Sequence, residues 1–146
     1  MLLVLDNNSL FSIINPKSIS AYLFSSIKAK FIAPEFIKSE FEKYKEIILF
    51  KSKLSEHEFE IRQKEIEESI EFIKVVEYEE FLKIAKSSIS DPDDIDFLAL
   101  ALLTAQKGYS SSNSAIWSND PHLKEQSLIP VFTTFDLVKM FLKGEI

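Results

Sequence analysis

The sequence predicts a three-layer α/β/α domain with a central, mostly parallel sheet of four to five strands, and three observations predict it. Short all-apolar runs such as Leu2–Leu5 read as strands buried on both faces, as in parallel sheets. Helical patterns separate these runs along the chain, which is how the crossovers of a parallel sheet are built. A chain of 146 residues, 46% of them hydrophobic, fits a single domain over 1–146 with room for a real core.

The elements follow in order. Leu2–Leu5 is the first strand and Asp6 ends it. Asn7, Asn8 and Ser9 offer caps for a helix carrying Leu10, Phe11, Ile13 and Ile14. Pro16 interrupts that pattern, and a second helical piece carries Ile19, Tyr22, Leu23 and Ile27. Phe31–Ala33 is a brief strand, and Pro34 opens a helix over 34–48 with Ile37, Phe41, Tyr44 and Ile48 on one side. A Glu-rich helix spans 55–71, and residues 73–76 read as a strand. A helix around Phe81, Leu82, Ile84 and Ala85 leads into the acidic stretch 91–96. Residues 115–117 and 131–132 are further strands, and Thr133 or Thr134 caps a closing helix through Leu137, Val138 and Phe141. Residues 110–114 form a polar loop.

The stretch from Asp91 to Ala105 stands at the centre of this arrangement. Asp91, Asp93, Asp94 and Asp96 precede a run that is apolar on every side, so a core helix presents acids at its N-terminus. The run is too short to cross a bilayer, which takes about 20 residues. A carboxylate cluster pinned at the edge of a core is either neutralised or holds a cation.

Composition removes several chemistries. The chain has no cysteine, so disulfides, thiolate catalysis and Cys-ligated zinc are excluded. Its two glycines allow neither a P-loop nor a G-x-G-x-x-G turn, which excludes nucleotide cofactors held in those ways. The opening Leu2–Leu5 run has no basic leader and is too short for a signal peptide, so the expectation is a soluble, cytoplasmic protein without membrane contact. The net charge of −6 argues against a generally basic nucleic-acid binder. Residues 28–53 are nonetheless locally basic, with seven Lys against four Glu, and any nucleic-acid contact falls there.

Ligands of open parallel sheets bind at the carboxyl ends of the strands, near the point where strand order reverses. Asp6 follows the first strand, Asp120 follows strand 115–117, and Asp93 or Asp94 opens the buried helix at the same edge. Glu40 lies between Ile37 and Phe41 on the core-facing side of its helix. Each acid has an ordinary structural role when taken alone: a cap, a dipole-compensating first turn, a solvated helix position or a turn before Pro121. Together they converge, and no lysine or arginine sits in the immediate sequence neighbourhood of Asp6, Asp94 or Asp120, the one arginine being Arg62 in the Glu-rich helix. Oxygen ligation of that kind selects Mg²⁺ or Mn²⁺. His122, two positions after Asp120, is close enough to assist; His57 reads as solvated. A phosphotransfer site would want an acid at position 8 or a lysine near the last strand, and neither is present.

These residues resemble the motifs of the PIN-domain family of metal-dependent nucleases, over essentially the whole chain. Val4-Leu5-Asp6-Asn7-Asn8-Ser9-Leu10 is similar to the first motif and Ser39-Glu40-Phe41, after Pro34, to the second. Asp91-Pro92-Asp93-Asp94 with Phe97-Leu98-Ala99-Leu100-Ala101 looks like the third, and Ile116-Trp117-Ser118-Asn119-Asp120 like the fourth. The resemblance implies that Asp6, Glu40, Asp94 and Asp120 form the catalytic metal site, with Asn8, Ser118 and Asp96 in support. It implies an Mg²⁺- or Mn²⁺-dependent endoribonuclease, and the local excess of lysine makes Lys38, Lys43 and Lys45 of helix 34–48 the expected RNA contacts. The family contains both toxins of toxin–antitoxin pairs and RNA-processing enzymes, and its members often form dimers. An antitoxin is therefore a candidate partner, with the Glu-rich helix 55–71 as the face for a basic segment, and a homodimer is expected. The contrasting expectation is a PIN-like module that binds RNA or protein without turnover.

Overall fold

The computed structural model describes residues 1–106 and 113–146. Among these residues five strands form one sheet: β1 (Leu2–Leu5), β2 (Lys30–Pro34), β3 (Ile70–Ile73), β4 (Ser114–Trp117) and β5 (Val131–Phe132). Their order is β3-β2-β1-β4-β5 and every pairing is parallel. The central strand is buried along its whole length, with Val4 beside Ile32 on one side and Ile116 on the other. An all-apolar β1 is what a strand covered by helices on both faces requires.

Helices α1 (Asn7–Ile14), α2 (Ile19–Ser26), α3 (Ile37–Lys43), α4 (Lys45–Ser52), α5 (Glu56–Glu68), α6 (Val75–Tyr78), α7 (Leu82–Ser88), α8 (Ile95–Gln106) and α9 (Thr134–Leu142) flank the sheet. Helix α8 is the most deeply set, with every residue from Phe97 to Thr104 buried. It packs against β1, β2 and β4, so the acids at its start arrive at the centre of the sheet. Helix α5 buries Phe59 and Ile66 and turns its carboxylates to solvent. Its Arg62 donates to the carbonyls of Ile13 and Ile14, at 3.0 and 3.3 Å for the closer contact of each, and so closes the C-terminal end of α1. The lone arginine is thus engaged far from the acidic cluster.

Local expectations shifted in four places. The cap of α1 is Asp6, whose carboxylate accepts from the Ser9 amide at 2.8 Å, rather than Asn7, Asn8 or Ser9. The predicted helix 34–48 breaks at Tyr44 into α3 and α4. The predicted strand 73–76 is displaced to 70–73, and Val75–Tyr78 is helical instead. There the register pairs Phe31 with Ile70 and Pro34 with Ile73, which buries Ile70 and Ile73, while Val75 and Val76 are left in solvent. Helix 55–71 ends at Glu68 accordingly. Thr133 caps α9 in a reciprocal box with Asp136. Of the polar loop 110–114, only Asn113 and Ser114 fall within the described residues, and Ser114 begins β4.

Candidate metal-binding acidic cleft

Strand order reverses between β1 and β4, and a cleft of about 710 Å³ opens beside their carboxyl ends. Asp6, Asp91, Asp93, Asp94 and Asp120 line one part of it. Asn7, Asn8 and Phe11 of α1 and Tyr44, Ile47 and Lys51 of the α3–α4 region are among the residues that line the rest.

Asp6 is held rigidly. Its Oδ1 accepts from the Ser9 amide and its Oδ2 accepts from the Ser118 hydroxyl. That hydroxyl in turn accepts from the Asp120 amide at 2.9 Å, so one serine links the acids that follow β1 and β4. The Ser9 hydroxyl donates to the Trp117 carbonyl at 2.8 Å and ties α1 to the end of β4. Burial pushes the Asp6 carboxyl above the ordinary carboxylate range; the bonds from Ser118 and Ser9 offset part of that, and nearby Asp120 adds to it.

Asp94 is the least comfortable of the acids. It is only 5% exposed, and its Oδ2 has no hydrogen-bond partner. Burial first, then the shared hydrogen bond and charge of Asp120, pushes its carboxyl up to about 8, with Asp91 and Asp6 adding repulsion. Among the described residues no lysine or arginine forms an ion pair with Asp6, Asp91, Asp94 or Asp120. Among the described residues, the basic side chain that meets this cluster is His122, with Nδ1 3.0 Å from Asp120 and 3.6 Å from Asp91.

A hard divalent cation fits this donor set. A buried carboxylate oxygen without a donor is costly, and several such oxygens at one edge lower each other's cost only around a positive charge. The buried Asn7 Oδ1 is a second oxygen without a partner on the wall of the same cleft.

Of the sequence-predicted residues, Asp6, Asp94, Asp120 and Asn8 line this cleft, and Ser118 lies buried beneath it. Glu40 is half-buried on α3 and is not among the residues lining the cleft. Asp96 faces elsewhere: its Oδ2 accepts from the Tyr78 hydroxyl at 2.6 Å, which joins α8 to α6. Lys38, Lys43 and Lys45 do not line the cleft either; their ammonium groups lie over the rings of Phe72, Tyr44 and Phe59 at 4.5, 5.2 and 5.8 Å. The lining residues that sequence reasoning did not single out as part of a site include Phe11, Tyr44, Ile47 and Lys51. Lys51 was within reach of pattern: it stands one helical turn after Ile47, on the same face.

Comparison with protein families matches residues 4–129 to the PIN domain. Comparison with curated proteins finds no match. Among solved structures, the fold is similar to VapBC2 from Rickettsia felis, bound to a DNA fragment from their promoter. That similarity has a TM-score of 0.58 at 15% identity and covers 91% of this chain and 98% of the other. With the family model spanning most of the sequence, the chain belongs to the PIN-domain family, whose members are generally nucleases that use divalent metals.

Proposed function

We propose that the protein is a divalent-metal-dependent endoribonuclease, and the toxin of a toxin–antitoxin pair. The observation that carries the reading is the meeting of Asp6, Asp94 and Asp120 at the sheet's reversal point, with a buried Asp94 oxygen that no donor satisfies. Asp94 and Asp120 would hold the ion with Asp6 beside them; Glu40 is assigned to the set by its motif alone. When bound, the ion supplies positive charge that acidifies water and neutralises phosphoryl oxygens. Asp6, fixed by Ser9 and Ser118, keeps its carboxylate in place, so little reorganisation is needed as charge develops.

The shape of the cleft favours a single strand. From the acids it runs past Phe11 and Tyr44 to Ile47 and Lys51, the one cation among its described lining residues. Aromatic and apolar surface beside a cation suits an unpaired base and its phosphate. Lys38, Lys43 and Lys45 would then reach only RNA that extends beyond the cleft. The Glu-rich outer face of α5 repels a polyanion and suits a basic antitoxin segment, in keeping with the VapBC complex as a structural neighbour. Exposed Ile47 and Phe50 on α4 leave apolar surface for a second copy.

The test is cleavage of a single-stranded RNA with Mg²⁺ or Mn²⁺, by the native chain and by Asp94→Asn. Metal-dependent internal cuts that Asp94→Asn loses are expected. Metal-independent cleavage overturns the metal-dependent reading, and no cleavage with either ion overturns it in favour of a non-catalytic binding module.

A further inference from the structure

We infer that His122 is itself a ligand of the divalent ion, and that with Asp91, Asp94 and Asp120 it makes a mixed nitrogen–oxygen site selecting Mn²⁺ over Mg²⁺. The inference rests on the nuclease reading above and adds two residues to the four-carboxylate scheme. One donor atom from each of these four side chains lies within 4.8 Å of every other. Ligands on opposite sides of one Mg²⁺-sized ion stand about 4 Å apart, so small side-chain rotations close the four onto a shared centre. The His122 Nδ1 faces both the Asp120 and the Asp91 carboxylates.

A second observation points to a cation at the same place. Asp94 is nine-tenths buried and more, and its Oδ2 has no hydrogen-bond partner. A cation among the four side chains answers that oxygen, and no lysine or arginine forms an ion pair there among the described residues.

The chain also holds the imidazole where ligation needs it. Asp120 caps the short 3₁₀ turn Pro121–Glu125, and its Oδ1 accepts from the His122 amide at 2.9 Å. At the far end of that turn, the Glu125 carboxylate accepts from the Ser90 hydroxyl at 2.9 Å and from the Ser90 amide at 3.3 Å. Ser90 directly precedes Asp91, so the turn carrying His122 and the loop carrying Asp91 are clasped together. Neutral imidazole is a softer donor than carboxylate, and it favours a transition-metal ion over Mg²⁺, which prefers oxygen and keeps its waters.

His122 has a simpler role open to it, an Nδ1–H hydrogen bond that only orients Asp120, and spectroscopy separates the two. The full chain is titrated with Mn²⁺ and with Mg²⁺ by calorimetry, and the Mn²⁺ complex is examined by pulsed electron paramagnetic resonance. Ligation gives a directly coordinated ¹⁴N signal that His122→Gln abolishes. Loss of the nitrogen should weaken Mn²⁺ binding about tenfold or more, with a much smaller change for Mg²⁺. Because His122 is exposed, the variant should keep the native chain's metal-free melting temperature. Tightly bound Mn²⁺ without ¹⁴N coupling, or equal losses for both ions, overturns the inference and leaves the nuclease reading standing. Failure of the native chain to bind Mn²⁺ at all overturns both.

Discussion

The Ser118 hydroxyl donates to Asp6 across 112 positions of sequence, and through it the acids at the ends of β1 and β4 share one fixed point. Replacing it, as Ser118→Ala, leaves a buried Asp6 oxygen and the Asp120 amide without that partner. The cost should be about 1–3 kcal/mol, or a melting temperature lower by about 4 °C for each kcal/mol. Thermal denaturation measures this directly. Cleavage should fall further than the lost folded fraction accounts for, because Asp6 is no longer oriented.

Asp94 gives the metal-free protein a pH dependence with a definite sign. Its carboxyl is raised from the ordinary 3.8 to about 8, so between these values the unfolded chain releases a proton that the folded chain keeps. The stabilising contribution is fully present below about pH 4 and disappears as pH rises through about 8. In a metal chelator, the native chain should therefore lose stability over that window relative to Asp94→Asn. A saturating divalent ion should reverse the order at pH 8. Parallel melting-temperature profiles of the two proteins would decide it, and parallel curves without divergence would refute the assignment.

Asp6→Asn and Asp120→Asn should each abolish RNA cleavage with the fold retained. Both changes remove one of several like charges at one edge, so neither should lower the metal-free melting temperature by more than a few degrees. Circular dichroism together with a gel-based cleavage assay checks both halves of this expectation.

Lys51 and the three lysines stacked on aromatic rings should behave differently. Lys51→Ala should weaken binding of short single-stranded RNA and flatten the salt dependence by about 0.7 in the slope of log K against log salt. Lys38→Ala, Lys43→Ala or Lys45→Ala should leave short-substrate binding nearly unchanged. Fluorescence anisotropy with catalytically inactive protein separates these effects from turnover.

Tyr78→Phe removes the donor to Asp96 in a half-buried contact between α6 and α8. Destabilisation of about 1–3 kcal/mol is expected, while cleavage per folded molecule should be unchanged, since Asp96 does not line the cleft. An activity loss beyond the stability loss would return Asp96 to the site.

Much of the fold was legible because burial leaves a strong local trace. A strand covered on both faces must be apolar throughout, as Leu2–Leu5 is, and a helix buried on every side must read like Phe97–Leu103. The sheet edge was harder to read. Residues 70–73 and 73–76 are both apolar enough to pair, and only the fit of Ile70 and Ile73 against β2 decides between them. The break at Tyr44 was hidden as well, because Ile37, Phe41 and Ile48 keep a helical spacing through it.

The sequence alone determined that this is an α/β domain whose acids follow its strands, since strand order and crossover rules put such positions at one edge. Only the tertiary structure decided which acids meet. Asp94 and Asp96 are two residues apart, yet one enters the cleft and the other joins Tyr78, because Asp94 ends the 3₁₀ turn Pro92–Asp94 while Asp96 lies in the first turn of α8, and the winding of the chain between them sends the two side chains to different sides. The same holds for the cations. Charge can be counted along a chain, but whether a lysine lies on a ring, as Lys43 does, or lines a cleft, as Lys51 does, depends on partners distant in sequence.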